Sequence, residues 1–355
     1  MSSPRIHRIV VIEGDGIGPE LVGAAMRVLE AVQEAYGGFR LEAEYREGGA
    51  ELYRRSGVNL APGTLDAIRA ADATMKGPVG LPEVRLPDGT EAGPLGGVLR
   101  IGLDTYASLR PVRSLPGVPA PVAGPIDYAI VRENTEGLYL SRGKGVGNDQ
   151  AVADTLLVTR KGTERVVRFA FELARRRDGA KRVTCVDKSN VLASYAFFRR
   201  VFDEVGEAYP DVQRDHLYAD AAAQALVLHP QRFDVLVMEN LLGDILSDLG
   251  GATVGGIGLC PAGNIGDAHA YFEPIHGSAP DLAGQDKANP ISQVLAAALM
   301  LEHLGEREAA ALVRRAVAWS LEQGKLVLAK NGQPEGGTRR AAETLAAAVR
   351  TVAHE

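Results

Sequence analysis

The segment GDILSDLGG, residues 243–251, places Asp244 and Asp248 four residues apart among Ile245, Leu246 and Leu249. Positions i and i+4 share a helix face, so on a helix both carboxylates point the same way. Close like charges repel and each needs a partner. A hard divalent cation such as Mg²⁺ or Mn²⁺, which takes carboxylate oxygens, would supply one. The alternative is an N-terminal helix turn, where aspartates cap the backbone and favour the dipole. Other segments carry groups that would complement such a site. VDKSN puts Lys188 at a strand end, where α/β enzymes keep their sites. A buried lysine can lose its proton and act as a base; the other reading is a surface lysine opening a helix. VRENTEGLY puts Arg132 at a strand end and Tyr139 seven residues on, either a general acid or a core tyrosine with its hydroxyl satisfied. LRIGLDTYASLRP carries Arg100 and Arg110, whose forks match carboxylates bidentately, unless they are ordinary surface arginines.

These groups need a scaffold, and the pattern of apolar residues describes one. RIVVI, IDYAIVR, RVTCVDK and FDVLVMEN read as strands. PELVGAAMRVLEAVQEAY reads as a helix with its proline at the start. TERVVRFAFELARRR, ASYAFFRRVFDEVGEAY, ISQVLAAALMLEHLG and RRAAETLAAAVRTVA read as further helices. Strands alternating with helices predict an α/β protein with a largely parallel sheet. The proline-rich stretch 110–125 is expected to cross between two lobes, and the glycine-rich stretch 250–266 to cross back.

At 355 residues the chain exceeds what one core usually spans, so two lobes are expected. The composition, 46% hydrophobic and 24% charged, is that of an ordinary globular protein. A formal net charge of −6 gives no general basic surface for nucleic acid. No apolar run approaches the roughly 20 residues of a membrane-spanning helix. The N-terminus lacks a signal-peptide pattern. The two cysteines, Cys185 and Cys260, have no metal-ligand spacing and are expected as small core residues in a reducing cytoplasm. GDGIGPE, residues 14–20, lacks the G-x-G-x-x-G fingerprint, so motif grammar alone makes a nucleotide site weak.

Taken together and in order, GDGIGPE, the LR ten residues before LRP, VRENTEGLY, VDKSNVL, YADAAA, ENLLGDILSDL and EPIHGSAPDLAGQDKANP resemble the β-decarboxylating dehydrogenases. That family includes isopropylmalate, isocitrate, homoisocitrate and tartrate/D-malate dehydrogenases. The likeness covers nearly the whole chain. It implies an isopropylmalate dehydrogenase-like fold: two α/β lobes, the first from residues 1–105 and 258–355, the second from 106–257, with a cleft between them. An arm at about 138–160 would pair with a second copy of the chain. The resemblance also implies that Asp244 and Asp248 ligate Mg²⁺ or Mn²⁺, with Asp220 from the partner subunit. Lys188, also from the partner, would be the base and Tyr139 the acid, so a homodimer would be obligatory. Arg100, Arg110 and Arg132 would clamp the carboxylates of a small acidic substrate. His276, Gly277, Ser278 and Ala279 would lie on the adenosine of NAD, with Asn289 at the adenine. Asp281 would accept from the ribose hydroxyls and repel a 2′-phosphate.

The substituent at C3 of the substrate is expected to be read by EAGPLGGVLR, before Arg100. Isocitrate enzymes hold a third carboxylate there with a serine and an asparagine, where this chain has Pro94 and Gly96. Isopropylmalate enzymes place leucines, where this chain has Gly96 and Gly97, leaving Leu95, Val98 and Leu99 nearby. The glycines predict a roomy pocket. Lys76 of MKGPVG, and Arg85 in a nearby loop, are candidates for a third negative group. Isopropylmalate leads because the carboxylate-binding pair is missing; homoisocitrate, isocitrate and tartrate/D-malate remain. A non-catalytic subunit of a hetero-oligomeric dehydrogenase is the alternative from another class.

Overall fold

The computed structural model describes residues 4–87, 89–93, 95–177 and 179–354; Pro94 lies outside them. The strands are β1 (Arg5–Ile12), β2 (Phe39–Tyr45), β3 (Ala73–Lys76), β4 (Ala107–Arg113), β5 (Asp127–Glu133), β6 (Val146–Gly147), β7 (Val152–Ala153), β8 (Arg182–Asp187), β9 (Gln213–Tyr218), β10 (Val235–Met238), β11 (Pro261–Ile265) and β12 (Ala270–Pro274). The helices are α1 (Gly18–Tyr36), α2 (Ala50–Ser56), α3 (Thr64–Ala70), α4 (Gly96–Gly102), α5 (Arg160–Arg176), α6 (Ala193–Gly206), α7 (Ala219–Leu228), α8 (Asn240–Thr253), α9 (Ile291–His303), α10 (Arg307–Glu322) and α11 (Gly337–Val352).

Ten strands form one sheet in the order β2-β1-β3-β12-β11-β4-β5-β10-β8-β9. Both flanks are parallel, while β12-β11, β11-β4 and β4-β5 are antiparallel. The fold is α/β, with helices on both faces as a parallel sheet requires. The stretch 110–125 is not a crossing between lobes. Its first residues end β4, and the rest is the loop that returns the chain antiparallel into β5. The strand pair β11-β4 itself joins the two flanks.

Strand alternation decides which residues meet which helices. Along β5, Tyr128 and Ile130 join a core with Ala222, Leu226 and Leu246 of α7 and α8. Val131 joins the opposite core, with Val166, Val167 and Phe198 of α5 and α6. Along β1, Ile9 and Val11 pack with α1, α9, α10 and α11, whereas Val10 and Ile12 pack with Ile68, Leu95 and Leu99 near α3 and α4. Arg132 and Arg110 continue the faces of Ile130 and Val112, and so emerge toward α8. Cys185 and Cys260 are free and buried in the cores. β6 and β7 form a small ribbon outside the main sheet, with Val146 and Val152 exposed by 78% and 74%. Among the described residues no helix is long and apolar enough to cross a membrane.

Candidate active site

α8 begins at Asn240, and its cap is Glu239, whose carboxylate accepts from Leu241 N at 3.1 Å and Leu242 N at 3.4 Å. The helix start is therefore already satisfied. Asp244 and Asp248 lie further along, one turn apart, and do not cap it. Asn240, Asp244, Ser247 and Asp248 follow the spacing of one face.

Two arginines come up to that face from neighbouring strands. Nε and Nη2 of Arg132 donate to Oδ1 of Asn240 at 2.9 and 2.7 Å, and its Nη1 pairs with Asp244. Nη1 of Arg110 donates to Ser247 Oγ at 2.6 Å and lies 3.3 Å from Asp244 Oδ1. Gly243 permits the approach: a Cβ there would stand 2.5 Å from Cβ and Cγ of Arg132. Tyr139, on the short turn Leu138–Ser141, donates to Asp244 Oδ2 at 2.7 Å. The Arg132 guanidinium carbon lies 5.4 Å from the Tyr139 ring centroid.

Burial, then the nearby cations Arg110 and Arg100, push Arg132 down to about 9. Arginine keeps its proton in proteins, so Arg132 remains a buried cation paired with Asp244. Burial drives Asp244 up, but Arg132 and then Arg110 outweigh it and hold the carboxyl below its ordinary range. Asp248 is raised, first by burial and further by Asp244, with Arg110 opposing. Burial, then the hydrogen bond to Asp244, raise Tyr139 to about 12, so the phenol is protonated at neutral pH and poised to donate.

The Asp244–Asp248 pair fits a divalent cation: two hard oxygen donors one turn apart, with Asp248 short of positive charge. Asp220 does not complete the set within one chain. Among the described residues no three His, Cys, Asp or Glu side chains form a group able to hold a metal ion. Asp220, in the first turn of α7, instead accepts from Lys188 Nζ at 2.7 Å, and that hydrogen bond lowers its pKa. Lys188 follows the end of β8, and its ammonium lies 5.9 Å from the Tyr218 ring centroid.

Arg100, on α4, sits beside Tyr271 and Glu273 and within the field of Asp244. Lys76 is 3% exposed; its Nζ pairs with Glu273 Oε2 at 2.6 Å and donates to Gly77 O at 2.9 Å. The pairing leaves this ammonium already answered. Arg85, itself exposed, stands 3.7 Å from Glu91. Leu95 and Leu99, expected near the substrate, are buried in the α4 core with Val10, Ile12 and Tyr271, because they fall on the inner face of α4. A Cβ at Gly97 would meet open space, and one at Gly96 would lie 3.4 Å from Arg100 Nε.

The loop carrying His276, Gly277, Ser278, Ala279 and Asp281 is fastened to GDGIGPE. Ser278 O accepts from Ile17 N at 2.8 Å, and Ser278 Oγ bonds Gly80 O. Gly16, at φ 58°, makes this possible, since a Cβ there would lie 2.1 Å from Ser278 O. Asp15 is the hub beneath: its buried carboxylate accepts from the backbone amides of Ala50, Glu51 and Gly80 at 2.7, 2.9 and 2.7 Å. His276 Nδ1 lies 2.9 Å from Gly277 O, and burial lowers its pKa, favouring the neutral ring. Asp281 is exposed on the turn Pro280–Leu282. Asn289, just before the cap residue Pro290 of α9, accepts from Ile291 N at 3.0 Å, and its amide donates to Gly332 O at 2.9 Å.

Asn240, Ser247, Glu239, Glu273 and Asp15 lie within the quoted motifs, but their place there gives them no role. The i, i+4, i+7 spacing from Asn240 through Asp244 to Ser247 was the available signal for two of them.

The sequence model of the isocitrate/isopropylmalate dehydrogenase family matches residues 8–332. A 3-isopropylmalate dehydrogenase of Thermobifida fusca is 46% identical over 93% of this chain and 94% of its own. A 3-isopropylmalate/3-methylmalate dehydrogenase of Methanocaldococcus jannaschii is 45% identical over 88% of this chain and 90% of its own. The crystal structure of an isocitrate dehydrogenase from Methylococcus capsulatus superposes with a TM-score of 0.87 at 39% identity, covering 97% of this chain and 99% of that one. The chain therefore belongs to the isocitrate/isopropylmalate dehydrogenase family and is a β-decarboxylating oxidoreductase of a kind that uses a nicotinamide cofactor and a divalent metal.

Proposed function

We propose that the protein oxidatively decarboxylates a 3-substituted (2R)-malate, 3-isopropylmalate first, with NAD and Mg²⁺ or Mn²⁺. The observation that carries this reading is the convergence of Arg110, Arg132 and Tyr139 on Asp244, one turn from Asp248. Arg100, Arg110 and Arg132 bind and orient the malate carboxylates by bidentate pairing. Asp244 and Asp248 hold the cation, with Asp220 from a second copy of the chain. When bound, the cation supplies Lewis-acid polarisation of the substrate's C2 oxygen, and NAD supplies the hydride acceptor. Lys188 of the second copy takes the proton from the C2 hydroxyl. Tyr139 returns a proton to C3 after CO₂ has left, and its raised pKa keeps that proton in place beforehand.

Asp281, exposed on its turn, suits the two ribose hydroxyls of NAD and opposes a 2′-phosphate. The lobes of this reading are 1–105 with 258–355, and 106–257; the exposed β6–β7 ribbon is the arm toward the second copy, since an isolated two-stranded ribbon is marginal alone. An apolar substituent at C3 is favoured by the pairing of Lys76 with Glu273 and by the names of the two curated relatives. Homoisocitrate, isocitrate and tartrate/D-malate are the other readings. The test is NAD reduction with Mn²⁺ across malates bearing hydrogen, hydroxyl, isopropyl, carboxymethyl or carboxyethyl at C3. The isopropyl compound should give the highest kcat/KM. A clear preference for an anionic substituent overturns the substrate assignment, and no turnover of any member overturns the catalytic one.

A further inference from the structure

The face of the sheet opposite Arg110 carries a second recess. Along β4, Ser108, Arg110 and Val112 face α8, so Leu109, Pro111 and Arg113 face the other way. There the helices leave the seam partly uncovered. α5 covers one flank and α9 with α10 the other, each belonging to a separate core. Between them lie two adjoining cavities of about 700 and 530 Å³ that share Leu109, Leu173, Arg177, Leu299 and Glu302. The floor of the larger one is apolar, from Leu109, Pro111, Leu259 and Pro261, with Leu295 and Leu299 on the α9 wall.

The rim is cationic. Arg113, Arg177, Arg314 and Arg315 line the larger cavity, Arg176 and Arg307 the smaller, against the carboxylates of Asp127 and Glu302. Asp127 answers Arg113 and Arg177 at 3.3 and 2.8 Å, and Glu302 pairs with Arg314. Arg176, Arg307 and Arg315 have no acidic partner among the described residues. Recesses of this size with an apolar lining and a few convergent charges are ordinary small-molecule sites.

We propose that this recess binds an aliphatic carboxylate, its chain on the leucine and proline floor and its head on Arg315, the arginine of the larger cavity without an acidic partner among the described residues. The chemistry follows from the two halves: apolar strand residues gain from covering, and guanidinium forks match a carboxylate. The occupant bridges α5 and α10 across the seam, on the opposite side from the catalytic cleft, and so slows relative movement of the two flanks.

Octanoate titrated into the intact protein by calorimetry tests this, with octan-1-ol and octylammonium as controls. Octanoate should saturate at one molecule per chain while neither control binds. Arg315→Glu, an exposed position outside the catalytic residues, should weaken octanoate binding by about tenfold and leave turnover without octanoate unchanged. Octanoate should lower kcat without raising KM for the malate. The proposal is overturned by any of three results: no saturation up to about 10 mM, equal binding of octan-1-ol or by Arg315→Glu, or displacement of octanoate by the malate, which would put it in the catalytic cleft. Binding is read without turnover, so its failure is distinct from failure of the catalytic reading.

Discussion

The Tyr139 hydroxyl donates to Asp244 Oδ2 at 2.7 Å, joining the turn 138–141 to the second turn of α8. The same carboxylate is held on its other oxygen by Arg132. Tyr139 is thus placed by the residue proposed to hold the metal. Tyr139→Phe should keep the fold and the malate KM while lowering kcat by about 10²- to 10⁴-fold, the range of a lost general acid. Steady-state kinetics with circular dichroism decides it; a kcat within threefold of the parent removes Tyr139 from the chemistry.

Gly243 controls how closely α8 approaches β5. A methyl group there would meet Cβ and Cγ of Arg132 at 2.5 Å, and both are backbone-proximal atoms with little room to shift. Gly243→Ala should therefore push α8 from Arg132, cost about 1–3 kcal/mol by overpacking, and raise KM for the acidic substrate. Thermal melts and KM together give the answer. An unchanged KM would mean that Arg132 does not depend on this packing.

Asp220 and Asp244 do not gather in one chain, and the proposed site therefore needs two. Asp220→Asn and Asp244→Asn should each be inactive alone. Refolded together at equal amounts, they should recover about a quarter of parental activity, because half the dimers are mixed and each mixed dimer rebuilds one site. No recovery, with mixed dimers confirmed by mass, would count against sharing between subunits.

Glu273 lies between Lys76 and Arg100. Burial pushes its carboxyl up, but Lys76 and then Arg100 hold it below the ordinary range. A depressed native carboxyl stabilises the fold fully above the ordinary carboxylate range, and that stability is lost as the pH falls through the lowered native value. Denaturant melts should show the parent losing stability in acid more steeply than Glu273→Gln. At pH 7 the same variant should be weaker by about 3–5 kcal/mol, since it leaves the Lys76 ammonium buried without its partner. Parallel acid slopes for the two proteins would show that Glu273 does not carry this dependence.

Asp281 is exposed on its turn and faces no positive side chain in an ion pair within 4 Å among the described residues. Asp281→Ala should reduce the preference for NAD over NADP by about tenfold or more by removing repulsion of the 2′-phosphate. The ratio of kcat/KM for the two cofactors measures it, and an unchanged ratio would place selectivity elsewhere.

Much of this was legible in the chain. Alternating apolar runs and helical periods described the α/β fold, and the residues of α1, α5, α6, α9 and α11 showed themselves by spacing. The four-residue gap between Asp244 and Asp248 was enough to place both on one helix face, because helix geometry is local. The short strands β3 and β11 were not recognised from local pattern, since buried strands of four or five residues have little periodicity to read. The proline-rich stretch misled for a related reason: prolines mark a break in regular structure but not the direction in which the chain continues.

The amino-acid order alone settled the chemistry on offer: paired carboxylates, a phenol, a lysine and a set of arginines, each at an element end or on a definable face. Tertiary structure decided which of them meet. It brought Arg110 and Arg132 from different strands onto Asp244, gave Lys76 to Glu273, sent Leu95 and Leu99 into the core and kept Asp220 with Lys188. Spacing along the chain specifies direction within one element, whereas distances between elements depend on how the cores pack and which strands pair.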